Sequence, residues 1–246
     1  MIRRQRGPLV WYEFELLQPY PFLRHGCFTS VSSLNTGFSP KEDPRSIQRN
    51  RDLIATTLFE NSSGTIIDGH QVHGADVAIV TSSSPLSTPA DAMATSLPNI
   101  ALLIQHADCQ AGLLFDPEHR IIAAVHSGWR GSVQNIYKAT VDRLKAVWGS
   151  CEETLIACIS PSLGPCHAEF RNWEDELPSA FIPFRRPGNY FDFWEISRSQ
   201  LLSCGLAPLN IEIASVCTYC HPELFFSYRR TKAHERNATC IAIKGE

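Results

Sequence analysis

A single α/β (α+β) domain is what the 246-residue sequence predicts, and three observations predict it. Short apolar runs with turn residues between them recur along the whole chain, and two longer stretches carry helical periodicity. No repeat, low-complexity tract or linker divides the chain, so residues 1–246 read as one domain. The composition, 43% hydrophobic and 19% charged, supplies ample core for a domain of that size.

In chain order, 9–17 (LVWYEFELL) reads as a strand with mixed faces, followed past Pro19 and Pro21 by Arg24-His25-Gly26 and a Ser/Thr/Asn-rich loop. Pro44 to Phe59 reads as a helix, with Pro44 in the first turn and Ile47, Leu53, Ile54 and Leu58 as apolar positions. Ile66-Ile67 and Val77 to Thr81 are strand fragments on either side of Gln71-Val72-His73-Gly74, and Ile100 to Gln105 is a further strand. Leu113 to Phe115 and Ile121 to Val125, separated by Asp-Pro-Glu-His, predict a hairpin. The clearest helix follows Gly131, with Val133, Ile136, Tyr137, Thr140, Val141, Leu144 and Val147 at helical spacing and Gly149 as its stop. Leu155 to Ile159, Asn210 to Val216, Phe225 to Tyr228 and Cys240 to Ile243 read as strands, Trp194 to Cys204 as a helix, and 170–189 as irregular or short-helical.

Several function classes are disfavoured at once. A net charge of −3 supplies no basic field for nucleic acid. No apolar run approaches the ~18 residues that span a membrane. Nine cysteines, an odd number without a compact framework or export signal, predict reduced thiols and a cytoplasmic protein.

The hairpin concentrates the chemistry. Cys109 lies just before its first strand and His126 just after its second, so antiparallel pairing brings a thiol and an imidazole together. That pair suits metal ligation or a nucleophile–base couple. His73, in QVHG, would complete a three-ligand zinc set with a fourth position open, and copper could bind the same donors. The three residues lie far apart in sequence and match no compact metal motif, so on spacing alone a buried thiol with two hydrogen-bonded core histidines is the better account of them. Asp91 and Asp108, each preceded by Ala, are candidates for acid–base work or for orienting a histidine. Arg130 at a predicted helix start, with Arg229 and Arg230, suits an anion, and Arg24 and Arg236 are looser candidates. Cys217-Thr218-Tyr219-Cys220-His221 matches a haem-attachment pattern only by chance, and no second ligand pair has zinc-knuckle spacing, which leaves Cys217 and Cys220 as free thiols.

Taken together, QVHG, ADAMAT, ADC with LLFD, AAVHSGWRG, SPSLGPC, and CTY with FFSYRR resemble, in the same order, the family once called multicopper polyphenol oxidases or the laccase domain. That family is now associated with purine nucleoside phosphorylase activity. The resemblance implies mixed β-sheets sandwiched between helices (four layers, α-β-β-α) and Zn(2+), with Cu(2+) as the alternative metal, at His73, Cys109 and His126. It also implies phosphorolysis of adenosine, inosine, guanosine and methylthioadenosine, and hydrolytic deamination of adenosine, in which the metal activates water. Cys109, His126, Asp91 and Asp108 would form the catalytic group, and Arg24, Arg130 and Arg229 would bind substrate. A cysteine hydrolase using Cys109 and His126, or a copper-dependent polyphenol oxidase, is the alternative. Purine nucleosides and phosphate are the expected partners, and the oligomeric state stays open. Ala111, Ser127, Ala168 and Glu235 depart from the proline, alanine, tyrosine and glycine usual in the family, which leaves substrate preference and pocket shape open.

Overall fold

The long apolar runs are buried on both faces because two sheets pack face to face and each carries helices on its outer side. The computed structural model describes residues 1–38, 42–60 and 64–245. One six-stranded sheet runs Ile2–Arg6, Leu9–Glu13, Leu23–Phe28, Asn237–Ile243, Ile100–His106 and Thr65–Asp68 in spatial order. The other runs Ile211–Ile213, Ile156–Ile159, Gln110–Asp116, Ile121–Ser127, Ala92–Thr95 and Val77–Ile79. Both are mixed: Thr65–Asp68 pairs in parallel with Ile100–His106, as do the two end pairs of the second sheet, and the remaining pairs are antiparallel.

Strand alternation builds the layers. Leu102, Ile104 and Ile241 of one sheet meet Leu113, Phe115, Ile122 and Ala124 of the other in a shared core. The intervening residues point outward. Leu103, Ala101 and Cys240 pack under Ile54, Leu58 and Phe59 of the helix Pro44–Phe59. Leu114, Ala123 and Val125 pack under Ile136, Tyr137, Val141 and Leu144 of the helix Ile136–Trp148, together with Leu201 of the helix Phe193–Ser203. The result is the four-layer α-β-β-α arrangement, and burial on both faces explains why these strands are apolar without interruption.

Several elements differ from the sequence reading. The N-terminal basic run is itself a strand, Ile2–Arg6, hairpinned onto Leu9–Glu13 around Gly7 at φ 56°. The second strand stops at Glu13, where the Phe14 amide donates to His25 Nε2 at 2.8 Å instead of to the ladder. His25 lies within Leu23–Phe28, a strand that the sequence hides behind Arg24 and Gly26. The helix after Gly131 begins at Ile136, not Val133. Asn135, in the left-handed region, separates it from a short helix at Trp129–Val133 and caps it by accepting from the Lys138 amide. Val133 and Val147 are exposed, so the buried stripe is narrower than the apolar pattern suggests. Phe225 to Tyr228 is not a strand: Phe225 plugs the core, and Ser227 caps a helical turn, Tyr228–Thr231.

Candidate metal centre and the clefts beside it

His73, Cys109 and His126 come from three segments that meet where the chain passes between the two sheets. Ile100–His106 ends the first sheet and Gln110–Asp116 begins the second, so Ala107-Asp108-Cys109 is the crossing. Gln110 anchors it: its carbonyl accepts from Tyr137 and Ser197, and its amide donates to the Phe193 carbonyl at 2.9 Å. Gln110 pairs with Ser127 and Ala111 with His126, which returns His126 beside Cys109 at the open end of the hairpin. His73 lies on the loop from Thr65–Asp68 to Val77–Ile79, at φ 63°. One ligand atom from each of the three falls within 4.8 Å of the others. Cys109 Sγ is 3.9 Å from His73 Nε2, and the two imidazoles sit 4.9 Å apart at 77°.

Asp91 organises this cluster. Fully buried, it accepts from the amides of Val72, His73 and Gly74 at 3.1, 2.9 and 2.8 Å, and it holds His126 Nδ1 at 2.7 Å. One carboxylate thus fixes the His73 loop and turns His126 so that Nε2 faces the cluster. With its oxygens shared among four partners, Asp91 is a positioning residue and is not placed to exchange protons with a substrate. These donors hold its pKa down to about 2 although burial opposes them.

The local field is unusual. Burial raises the Cys109 thiol, but the charge of His126 and hydrogen bonds from both histidines outweigh it and bring the pKa down to about 6. Burial likewise opposes His126, which the Cys109 charge and the Asp91 hydrogen bond raise to about 9. Without metal, the pair is a thiolate–imidazolium at neutral pH. A metal ion needs the thiolate and a neutral imidazole, so binding must displace the His126 proton between pH 6 and 9. Affinity is therefore expected to rise about tenfold per pH unit across that window, and more steeply below about 6, where Cys109 must also lose a proton. Competition titrations with a chelator from pH 5 to 9 measure the slope; a flat profile contradicts the pairing.

The donor set fits a zinc or copper ion. Two imidazoles and a thiolate converge, one imidazole is pinned by a carboxylate, and Gly128 has made room for them. A Cβ on Gly128 would lie 2.7 Å from His73 Cδ2 and 3.1 Å from Cys109 Sγ. Its backbone, at φ −77°, suits alanine. Gly128→Ala is accordingly expected to weaken metal affinity about 10–100-fold with little change in melting temperature, as metal titration alongside calorimetry would show.

Two clefts meet at this cluster. One, of about 650 Å³, runs past Asp108, Cys109, Trp129, Arg130, Phe170 and Arg229. The other, of about 890 Å³, runs past Gln71, His106, His126, His234 and Arg236, and the two share His73, Ala107, Cys109 and Tyr228. In the first cleft the Arg130 guanidinium lies 4.1 Å over the Trp129 ring, and Trp129 meets Phe170 edge-on at 6.0 Å. Asp108, at φ 91°, accepts from the Thr218 hydroxyl at 2.7 Å and from the Arg229 amide. It braces the wall that presents Arg229.

Not every residue picked from the sequence belongs here. Arg24 lines a separate depression with Arg4, Glu13 and Glu60, and its guanidinium donates to the carbonyls of Pro21 and Leu23. It lines neither cleft, because its strand places it opposite Ala242, at the far end from Asn237 and His106. Arg230 is spent on the carbonyls of Thr218, Tyr219 and Phe225. The sequence reading missed Phe170, Lys232, Tyr228 and Gln71. The first three line the Arg130 cleft, and Gln71 clamps both the amide and the carbonyl of Gln105 behind the His73 loop. Tyr228 and Lys232 sit on one helical turn and the others on separate loops; of the four, Tyr228 in FFSYRR and Gln71 in QVHG offered a signal. Ala111 uses its amide to donate to Ser160 Oγ at 2.9 Å, a bond that proline could not make.

Fold and donor cluster together define a laccase-domain type of protein. The chain belongs to the family described as multi-copper polyphenol oxidoreductase laccase, whose pattern matches residues 21–244. It is 31% identical over 244 residues to "Purine nucleoside phosphorylase PA4543" of Pseudomonas aeruginosa, covering 92% of this chain and 96% of that one. A "Purine nucleoside phosphorylase" of Bacteroides thetaiotaomicron is 36% identical over 149 residues, 57% of this chain; the match spans about half (55%) of that relative. The crystal structure of YlmD from Geobacillus stearothermophilus superposes with a TM-score of 0.86 at 25% identity, covering 99% of both chains.

Proposed function

We propose that this chain is a metal-dependent enzyme of purine nucleosides, catalysing phosphorolysis of adenosine, inosine, guanosine and methylthioadenosine, and hydrolytic deamination of adenosine. The observation that carries the reading is the convergence of His73, Cys109 and His126 beside a cleft with aromatic and cationic walls. The names of the relatives support the same substrate class. His73, Cys109 and His126 would hold a zinc ion, which would supply Lewis acidity, and copper would suit the same donors.

The chain's own groups divide the remaining work. Trp129 and Phe170 offer apolar faces to a purine, and Arg130, Arg229 and Lys232 bring positive charge to the same cleft for phosphate. Asp108 and Glu169 both help to place Arg229: the first takes its amide, the second, through its carbonyl, takes the guanidinium at 3.1 Å. Ala168 lines this cleft with no more than a methyl group and leaves room for a larger base or substituent.

Chromatography of purified protein with adenosine or inosine, with and without phosphate, tests the reading. Free base and ribose 1-phosphate should form with phosphate, and inosine should form from adenosine without it; unchanged nucleosides under both conditions defeat the proposal. Arg130→Ala separates the two reactions. Losing a charged contact worth about 1.5–3 kcal/mol should raise the KM for phosphate roughly 10- to 100-fold, with deamination spared. Equal loss of both would show that Arg130 does not hold phosphate.

A cysteine hydrolase is the second reading, favoured by the thiolate–imidazolium pair with Asp91 behind His126. A dyad has no use for His73 in the same cluster. Activity that survives complete chelation would favour the hydrolase.

A further inference from the structure

We propose that Cys166, His167, Cys217 and Cys220 form a second metal site, a closed Cys₃His zinc centre that staples the wall of the Arg130 cleft. Their ligand atoms all lie within 4.8 Å of one another. Cys166 Sγ and Cys220 Sγ are 3.6 Å apart, and His167 Nδ1 is 3.2, 3.4 and 4.0 Å from Cys166, Cys220 and Cys217. A tetrahedral zinc ion with Zn–S near 2.3 Å and Zn–N near 2.0 Å requires S···S edges of about 3.8 Å and S···N edges of about 3.5 Å. The Cys166–Cys220 edge and the three edges to His167 come within about half an ångström of those dimensions.

Thiol hydrogen bonding explains the arrangement less well. Three sulfurs surround one ring nitrogen, which can accept only one proton. A cation in the middle satisfies all four groups at once and releases the three thiol protons to solvent. The surroundings are built to match. The Gly164 amide donates to Cys217 Sγ at 3.3 Å, as amides do to metal-bound thiolates. A Cβ on Gly164 would lie 3.0 Å from Cys217 Cβ and 2.8 Å from the Trp194 ring. The His167 imidazole is stacked on Tyr219, between the two cysteines of the CxxC, at 3.8 Å and 18°.

Position in the fold assigns the role. Cys217-x-x-Cys220 follows the strand Ile211–Ile213, and Cys166-His167 follows its parallel neighbour Ile156–Ile159; Ser162 and Cys217 continue that pairing as a bridge. The second ligand pair absent from the sequence spacing is thus an adjacent Cys-His supplied by the neighbouring strand's loop. From the site, Thr218 reaches Asp108, and the chain after His167 continues into Ala168, Glu169 and Phe170 of the cleft. With four protein ligands and no open position, the centre is structural.

Metal analysis of protein purified under reducing conditions tests this independently of the first site. Wild type should hold two zinc ions per chain, Cys109→Ala one, and the double variant Cys166→Ser/Cys220→Ser one, with a melting temperature several degrees lower. If the double variant does not fold, Cys109→Ala protein loaded with Co(II) should show the intense charge-transfer band of a three-thiolate tetrahedral site. Retention of one zinc by Cys109→Ala supports the proposal even if the nucleoside assays fail. The proposal is overturned if Cys109→Ala binds neither zinc nor cobalt, if the double variant matches wild type in zinc content, or if peptide mapping finds Cys166 disulfide-bonded to Cys220 in metal-free protein.

Discussion

Cys109→Ala is expected to lower turnover of purine nucleosides by at least about 10³-fold, because several kcal/mol of metal-derived stabilisation goes with it. The thiol is one of three donors within 4.8 Å, so its removal leaves two imidazoles, one of them raised by the lost thiolate. Metal content and kcat should fall together. Cys109→Asp sharpens the result, since a carboxylate still ligates zinc but cannot replace a thiol nucleophile. Partial recovery of metal and activity in that variant supports ligation, whereas complete inactivity in a variant that retains metal points to the nucleophile. Wild-type rates in Cys109→Ala would remove the centre from the mechanism altogether.

Asp91→Ala should have the largest effect on stability. The side chain is wholly buried, and its loss strands three backbone amides and the Nδ1 of a buried histidine. Breaking such a buried charged network costs about 3–5 kcal/mol, which for a chain of this length is a fall of roughly 10 °C in melting temperature. Denaturant unfolding measures the first figure and calorimetry the second. Asp91→Asn keeps one acceptor oxygen for His126 and the His73 amide but turns its NH2 towards the amides of Val72 and Gly74, so it should recover only part of that stability. It should still bind metal about 10–100-fold more weakly, because an amide orients the imidazole without charge. The pH dependence has a definite sign. The Asp91 pKa is depressed in the folded state, so its contribution is complete above the ordinary aspartate range and fades as pH falls towards about 2. A stability loss below 1 kcal/mol for Asp91→Ala would mean that the loop is held by something else.

How much of this was legible beforehand follows from the range of each interaction. Period-2 and period-3.6 patterns are local, and so the helices Pro44–Phe59 and Phe193–Ser203 and the strands Ile100–His106 and Ile121–Ser127 agree with the sequence reading within a residue or two, while Gln110–Asp116 starts three residues before the Leu113 read from the sequence. The proximity of Cys109 and His126 was also legible, since a hairpin turns sequence spacing directly into distance. Leu23–Phe28 escaped because its polar residues lie on a pleat whose burial depends on strands far away in sequence. Tyr228 was misplaced in a strand because aromatic residues signal a buried surface as readily as a ladder.

The sequence by itself therefore pointed to the layers, the family and the three residues that converge between the sheets, because each rests on local pattern or on motifs in fixed order. Only the tertiary structure decided their surroundings. It made Asp91 an orienting group, moved Arg24 away from the clefts and spent Arg230 on carbonyls. It also gathered Cys166 and His167 with Cys217 and Cys220 across the two parallel strands Ile156–Ile159 and Ile211–Ile213. The physical reason is the same throughout: hydrogen bonds and coordination act over about 3 Å, and which side chains come that close is settled by how the two sheets and their loops pack.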